Sequence, residues 1–219
     1  RTGTMYSRKH TKNTRRRQRI SMDNDWHILK TELEMLAEKD HVPILRETER
    51  NLLLAAAAEV NPRKILEIGT AIGYSALLLG KKFPKAEIDT VEVDETRHAV
   101  AEKTMERAGM ANRIHCHLGD ASFVIPTLQG PYDFVFLDGP KGQYLRELKA
   151  IEPLLSEKAV IAADNVLFRG LVRAKGPVPH RYRTLVIRLR EYIDYVTANY
   201  KTVIHEEGDG MAISVKIRN

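Results

Sequence analysis

The feature of this sequence that most constrains its fold is a regular alternation of short β-branched runs with amphipathic helical stretches, which begins at Arg63. Such an alternation is typical of a parallel sheet whose strands are joined by right-handed helical crossovers. The runs predict strands over residues 64–68, 88–93, 114–118, 134–137 and 159–163. Two more runs, 201–205 and 211–217, are separated by Gly208-Asp209-Gly210, so the last strand should be antiparallel. The expected fold is a mostly parallel seven-stranded α/β sheet with helices on both faces.

The helical stretches between these runs have apolar residues at spacings of three and four. They predict helices over residues 47–60, 74–83, 95–108, 121–128, 144–155 and 182–200. An earlier helix should carry Trp26, Leu29, Leu33 and Leu36 on one face, with Asp23 or Asn24 as its N-cap. The proline-bent segment 41–45 connects it to the second helix.

Composition narrows the class of protein. A chain of 219 residues can bury a full hydrophobic core, so residues 21–219 should form one domain. No run of about 18 apolar residues is present to cross a bilayer, which excludes an integral membrane protein built on helices. The single Cys116 cannot form an internal disulfide, and no signal segment is visible. A cytoplasmic protein is expected.

The net charge of +6 is concentrated in two segments. Residues 1–20 contain eight Lys or Arg and no acid; we interpret them as a flexible basic arm or, in part, as a sequence added for expression. A second acid-free stretch, 165–190, carries seven basic residues. Without the first segment the 29 acids slightly outnumber the remaining 27 basic residues. These two segments point towards a polyanionic partner, although the second is equally compatible with a solvated helix face.

The turn after the first strand, LEIGTAIGYS over residues 66–75, is typical of a cofactor site. Glycines let the backbone approach a ligand, and the N-terminus of the next helix favours a carboxylate. Gly69 and Gly73 do not have the spacing of a dinucleotide fingerprint, whereas Glu92, at the end of the second strand, suits a ribose. The pattern therefore favours a nucleoside cofactor without a pyrophosphate, although such turns also occur without one.

Polar side chains also follow the fourth and fifth strands. Asp138 ends one apolar run, and Asp164 and Asn165 end the next. If these strands are neighbours, their ends lie about 4.8 Å apart, so three oxygen donors can converge. Two carboxylates and an amide suit Mg²⁺ better than zinc. Each acid taken alone could equally be a helix cap.

At these positions the chain resembles the cation-dependent O-methyltransferases of the catechol and caffeoyl-CoA type. The resemblance covers about residues 42–217 and is carried by LEIGTAIGYS (66–75), FLDGPKGQY (136–144) and DNV (164–166). It implies a Rossmann-like fold that binds S-adenosylmethionine (SAM). Within the family the chain is most similar to bacterial tRNA 5-hydroxyuridine methyltransferases, through HVPI (41–44), KGQY (141–144), DNVLFRGLV (164–172) and GDGMAIS (208–214).

The resemblance implies a role for each site residue. It assigns Glu67, Gly69 and Ser75 to the methionine end of SAM, Glu92 to its ribose, Asp120 and Ala121 to its adenine, and Leu45 to the pocket wall. It assigns Asp138 to both cofactor and metal, Asp164 and Asn165 to the metal, and the general base to Lys141. Gly139-Pro140 departs from close relatives just before that lysine.

The function implied is Mg²⁺-assisted O-methylation, converting 5-hydroxyuridine to 5-methoxyuridine at the wobble position of tRNA. The alternative is methylation of a small catechol or phenolic acyl-CoA, and a more remote one is a non-catalytic RNA-binding protein. Tyr182, within the second basic stretch, is a candidate for stacking on a base, and Asp209 is either a substrate contact or a turn residue. Homodimerisation is implied by the resemblance alone.

Overall fold

The computed structural model describes residues 25–217. The chain divides into two compact units, Arg1–Pro43 and Ile44–Asn219. In the first unit, helix α1 spans residues 25–39, as predicted, and ends in a turn where the Val42 N–H donates to the Ala37 carbonyl. The basic segment 1–20 and the proposed cap at Asp23 or Asn24 lie outside the described residues. The expectation of one domain over 21–219 stays a prediction.

The second unit is built on one seven-stranded sheet. Its strands are β1 Lys64–Ile68, β2 Glu87–Glu92, β3 Ile114–Leu118, β4 Tyr132–Leu137, β5 Leu155–Ala163, β6 Tyr200–His205 and β7 Met211–Lys216. Their spatial order is β3-β2-β1-β4-β5-β7-β6. The first five strands are mutually parallel, and β7 pairs antiparallel with both β5 and β6. The predicted mostly parallel sheet with an antiparallel last strand is confirmed.

Both faces of the central strands are buried, as a parallel sheet covered by helices requires. On one face, Leu66 and Ile68 of β1 pack in a cluster that also contains Leu148 and Leu189 from two of the helices. The alternate residues, such as Ile65, point the other way and are equally buried. This continuous burial explains why these strands appear in the sequence as apolar runs rather than as alternating patterns.

The helices of the second unit are α2 Glu47–Ala58, α3 Tyr74–Lys82, α4 Glu95–Arg107, α5 Ala121–Val124, α6 Tyr144–Ile151 and α7 Arg183–Asn199. Two predicted helices were too long. The first ends at Val124 and the second at Ile151, and each continues as a 3-10 turn, Ile125–Thr127 and Glu152–Leu154. Each turn contains a proline near its start, which has no N–H to continue the helix.

None of the helices within residues 25–217 has the length and apolar character needed to cross a bilayer.

Candidate active site

The candidate site lies where the strand order reverses, between β1 and β4. In open parallel sheets, ligands bind outside the carboxyl ends of the strands at this switch point. Here the turn after β1 and the turn after β4 are in backbone contact. Gly69 has φ of 102°, and a Cβ added to it would lie 2.6 Å from the Asp138 carbonyl oxygen. Only glycine fits at this position. Because the two turns touch here, together they form one continuous surface, the floor of the candidate site.

Glu92 holds the glycine turn in place. One carboxylate oxygen accepts the Ala71 N–H at 2.7 Å, and the other accepts the N–H groups of Val93 at 3.0 Å and Asp94 at 2.9 Å. A carboxylate has about four acceptor positions, so roughly one remains for a ligand. The structure therefore shows Glu92 as an organiser of the turn, and the ribose contact assigned to it stays a prediction.

Glu67 is a buried carboxylate with incomplete hydrogen bonding. Its side chain is fully buried on β1, and Oε2 accepts the Thr90 hydroxyl, whereas Oε1 finds no partner in the described structure. Burial raises the pKa of Glu67 to about 7, although the nearby hydroxyls of Ser75 and Thr90 favour the ionised form. A cationic or hydrogen-bonding group next to Oε1 would complete the hydrogen bonding of this carboxylate. The α-ammonium of a methionine moiety would supply one.

The three predicted metal donors follow two neighbouring strands, β4 and β5, at the same edge of the sheet. Leu137 and Ala163, the last residues of these parallel strands, are in register, so Asp138 and Asp164 follow side by side. The Asp164 N–H donates to the Leu137 carbonyl at 3.0 Å. Asn165 then turns into a left-handed conformation with φ of 55°, and its N–H donates to Asp164 Oδ1 at 2.8 Å.

The electrostatics of these acids fit a cation. Burial, followed by the charge of Asp138, raises the pKa of Asp164 to about 7. Burial also raises the pKa of Asp138 to about 6, although Lys141 lowers it. No group of three or more His, Cys, Asp or Glu side chains suited to a metal occurs within residues 25–217. A site here therefore depends on two carboxylates and the Asn165 amide, a donor set with room for water and substrate that suits Mg²⁺.

Lys141 lies beside Asp138, as expected. It begins the 3-10 turn Lys141–Gln143 directly after the β4 turn, and its Nζ is 3.7 Å from Asp138 Oδ1. The side chain is 22% exposed, so it is partly accessible to solvent beside Asp138. The Gly139-Pro140 sequence therefore does not carry the lysine away from the site.

The other assigned cofactor residues have less specific surroundings. Leu45 is buried just before α2. Asp120 is exposed and caps α5, with Oδ1 accepting the Ser122 N–H at 2.8 Å, and Ala121 is the first residue of that helix. Both lie at the carboxyl end of β3, two strands away from β1. A cofactor bound at the turn after β1 would have to extend past the end of β2 for its adenine to contact them. Their adenine contacts stay predictions.

The basic stretch 165–190 is largely committed to intramolecular contacts. Arg190 donates to the carbonyls of Val172, Leu171 and Ala174, Arg183 donates to Val178, and Arg173 and Arg188 pair with glutamates. The Tyr182 ring is covered by Arg181 at 4.6 Å and packs edge-on against Phe168. This tyrosine is therefore not an open platform for stacking on a base. Most arginines of this stretch therefore already have partners within the protein.

Two residues near the site were missed in the sequence. The Glu49 carboxylate, on the first turn of α2, raises the pKa of both Asp138 and Asp164, and its Oε1 approaches Gly208 so closely that an added Cβ would lie at 2.9 Å. The Tyr144 hydroxyl donates to the Asp164 carbonyl at 3.0 Å. Asp209, by contrast, is a loop organiser, since its Oδ1 accepts the Arg169 N–H at 3.1 Å. Glu49 and Tyr144 do not directly follow strands. Inspecting the residues after each strand, which located the predicted metal donors, therefore does not find them.

Comparison with known proteins decides the family. A family model described as O-methyltransferase matches residues 18–217. The chain belongs to this O-methyltransferase family. A catechol O-methyltransferase of Niastella koreensis is 30% identical over 165 residues, which cover 70% of this chain and 73% of the relative. A catechol O-methyltransferase of Mycobacterium tuberculosis is 33% identical over 142 residues, 64% of each chain.

Solved structures of O-methyltransferases have the same fold. A protein of Staphylococcus aureus classed with the caffeoyl-CoA O-methyltransferases has a TM-score of 0.78 at 26% identity, covering 97% of this chain and 100% of that one. An O-methyltransferase from Bacillus cereus, in complex with S-adenosylhomocysteine (SAH), has a TM-score of 0.74 at 23% identity, covering 86% and 90%. The Rossmann-like methyltransferase fold is thus confirmed.

Proposed function

We propose that this O-methyltransferase transfers the methyl group of SAM to a hydroxyl of a small catechol-type phenol, with a divalent cation held by Asp138, Asp164 and Asn165. The observation that carries the proposal is that the turn after β1 and the carboxylates after β4 and β5 share one floor through the Gly69–Asp138 contact. A methyl donor on the turn and a hydroxyl near the carboxylates would therefore be neighbours. The relatives named catechol O-methyltransferase support a phenolic substrate.

The residues of the site divide the chemistry between them. Glu67 would hold the ammonium of SAM, and Glu92 the ribose. A divalent cation at the three donors would lower the pKa of the substrate hydroxyl. Lys141 acts as the neutral amine and takes the hydroxyl proton, becoming an ammonium, while an oxygen lone pair forms the new C–O bond. The S–CH₃ bond breaks with its electron pair remaining on sulfur, so the products are the methyl ether and SAH. The role of the protein is mainly to place oxygen, methyl carbon and sulfur in line.

A second candidate substrate is the 5-hydroxyuridine of tRNA. It is favoured by Arg169, Lys175 and Arg181, which are exposed in the segment that follows the metal donors, and by the motif resemblance given above. Both candidates offer a hydroxyl next to a second oxygen on a planar ring, so the same donors would serve either. The intramolecular contacts of the other arginines weigh against tRNA. Homodimerisation likewise stays a prediction.

The experiment that tests the proposal is a methyl-transfer assay with labelled SAM and Mg²⁺, offering either catechol or tRNA that lacks the methoxy group. We expect label in catechol, no transfer in EDTA, and no transfer by Asp164→Ala. Label in tRNA alone would replace the first substrate class by the second. Transfer that is unaffected by EDTA would refute the metal-assisted reaction.

A further inference from the structure

The peptide between Asp164 and Asn165 determines where both of these donors point. It follows the last residue of β5, and Asn165 has the left-handed φ of 55° that non-glycine residues rarely adopt. Because a peptide unit is planar, rotation of this one would move the Asp164 carbonyl and the Asn165 N–H together. Neighbouring bonds hold it on one side, since the Asp164 N–H donates to Leu137 and the Val166 N–H donates to Gly210. The Asp164 carbonyl oxygen is held by a separate contact.

Tyr144 supplies that contact. Its hydroxyl donates to the Asp164 carbonyl at 3.0 Å, and its side chain is fully buried. The ring packs edge-to-face on Tyr192, with centroids 5.6 Å apart and an interplanar angle of 70°. Burial, together with the nearby acids, raises the pKa of Tyr144 well above its ordinary value, so the phenol stays a hydrogen-bond donor. Because the ring is buried and packed in this way, its hydroxyl is held next to the Asp164 carbonyl.

We infer that Tyr144 is a positioning residue for the metal donors, fixing the Asp164–Asn165 peptide through its hydroxyl so that the carboxylate and the amide face the same cation. The inference rests on the proposed function, because it presumes that these donors bind a divalent ion. Tyr144 also begins α6, directly after the turn that carries Lys141. One side chain thus links the segment of the general base to the segment of the metal donors.

The competing explanation is that Tyr144 simply fills the core, and the chain provides a matched control. Tyr192 is equally buried, belongs to the same hydrophobic cluster as Tyr144 and packs against the Tyr144 ring. Its hydroxyl, however, has no hydrogen-bond partner in the described part of the chain. Tyr144→Phe and Tyr192→Phe therefore remove the same atom from the same kind of environment, but only the first removes a contact to the metal donors.

The test measures Mn²⁺ binding to the purified protein by electron paramagnetic resonance, without substrate, and SAH binding by calorimetry as a check on folding. Outer contacts of metal ligands are typically worth 10–100-fold in metal affinity. For Tyr144→Phe we expect Mn²⁺ binding to weaken by about tenfold while SAH binding stays within about twofold of wild type. Tyr192→Phe should match wild type in both. Activity of Tyr144→Phe should recover towards wild type as Mn²⁺ approaches saturation.

Each other outcome is decisive. Wild-type affinity for Mn²⁺ in Tyr144→Phe would overturn the inference, even if the thermal midpoint fell. Loss of both Mn²⁺ and SAH binding in that variant would also overturn it, because the hydroxyl would then hold the fold rather than the donors. If the wild-type protein binds SAH but no Mn²⁺, the proposed metal site itself fails.

Discussion

Replacing Asp164 by asparagine should make the metal-free protein more stable. Asp164 is only 4% exposed, and burial raises its pKa from 3.8 to about 7. A group with a raised pKa holds its proton more tightly in the folded state, so stability falls as the pH rises from 3.8 to about 7 and stays low above that. At about 1.4 kcal/mol per pKa unit, the ionised carboxylate costs up to about 4 kcal/mol at pH 8. Asparagine keeps the shape and the acceptor for the Asn165 N–H but has no charge.

The assay is urea unfolding of wild type, Asp164→Asn and the exposed control Asp194→Asn, in EDTA at pH 8 and pH 5. We expect Asp164→Asn to gain about 2–4 kcal/mol at pH 8 and about 1–2 kcal/mol at pH 5, with no change in the control. Mg²⁺ should remove most of the difference at pH 8. A cation at a hundred times its Kd would stabilise wild type by about 2.7 kcal/mol, but should leave the asparagine variant nearly unaffected.

The reasoning would be refuted by Asp164→Asn being less stable than wild type in EDTA at pH 8. That result would mean that the carboxylate is well satisfied without a cation, and that the amide cannot replace it. The argument for a cation at this strand end would then lose its electrostatic basis.

Further variants test other parts of the site and the sheet. Lys141→Met should lower the single-turnover methyl-transfer rate about 10²–10⁴-fold while Mn²⁺ binding persists. Gly69→Ala should abolish SAH binding in calorimetry, because its Cβ would collide with the Asp138 carbonyl. Glu147→Gln should raise the thermal midpoint at pH 8 and much less at pH 5, since burial raises the pKa of Glu147 to about 7 and its Oε2 has no partner among the described residues. Asp89→Asn should cost about 1–3 kcal/mol in urea unfolding at pH 7. Burial alone would raise the pKa of that carboxyl, but its hydrogen bonds hold the pKa below 3.8, so the difference should vanish as the pH falls below that value.

The sequence predicts the sheet well because its strands are distinct in composition. Buried parallel strands such as β1 and β4 are composed mainly of apolar residues, apart from Lys64, Glu67 and Asp133, and each is followed by the turn or acid that a ligand needs. The assignments of Asp138 and Asp164 needed only the assumption that β4 and β5 are neighbours, which the register confirms. Helix ends were less predictable, because the prolines after α5 and α6 allow a 3-10 turn that a periodicity of three and four residues does not distinguish from a helix.

Contacts between distant elements could not be predicted in the same way. Glu49 approaches the donors from α2, and Tyr144 reaches the Asp164 carbonyl from α6. Both depend on how helices pack against strand ends, which no local pattern encodes. The same limit applies to Arg190, which the sequence presents as one more positive charge. In the structure it is a cap for the carbonyls of the preceding loop.

The place of β7 in the sheet has a consequence for how the enzyme is made. This strand lies between β5 and β6, yet about 50 residues separate it from Ala163 at the end of β5. On a ribosome adding about 5–20 residues per second, the edge of β5 stays unpaired for about 3–10 s. Val166 and Leu167 also wait for their acceptors, the carbonyls of Gly210 and Asp209. A nascent chain can therefore complete the turn after β1, the candidate cofactor site, well before it can complete the candidate metal site at the end of β5.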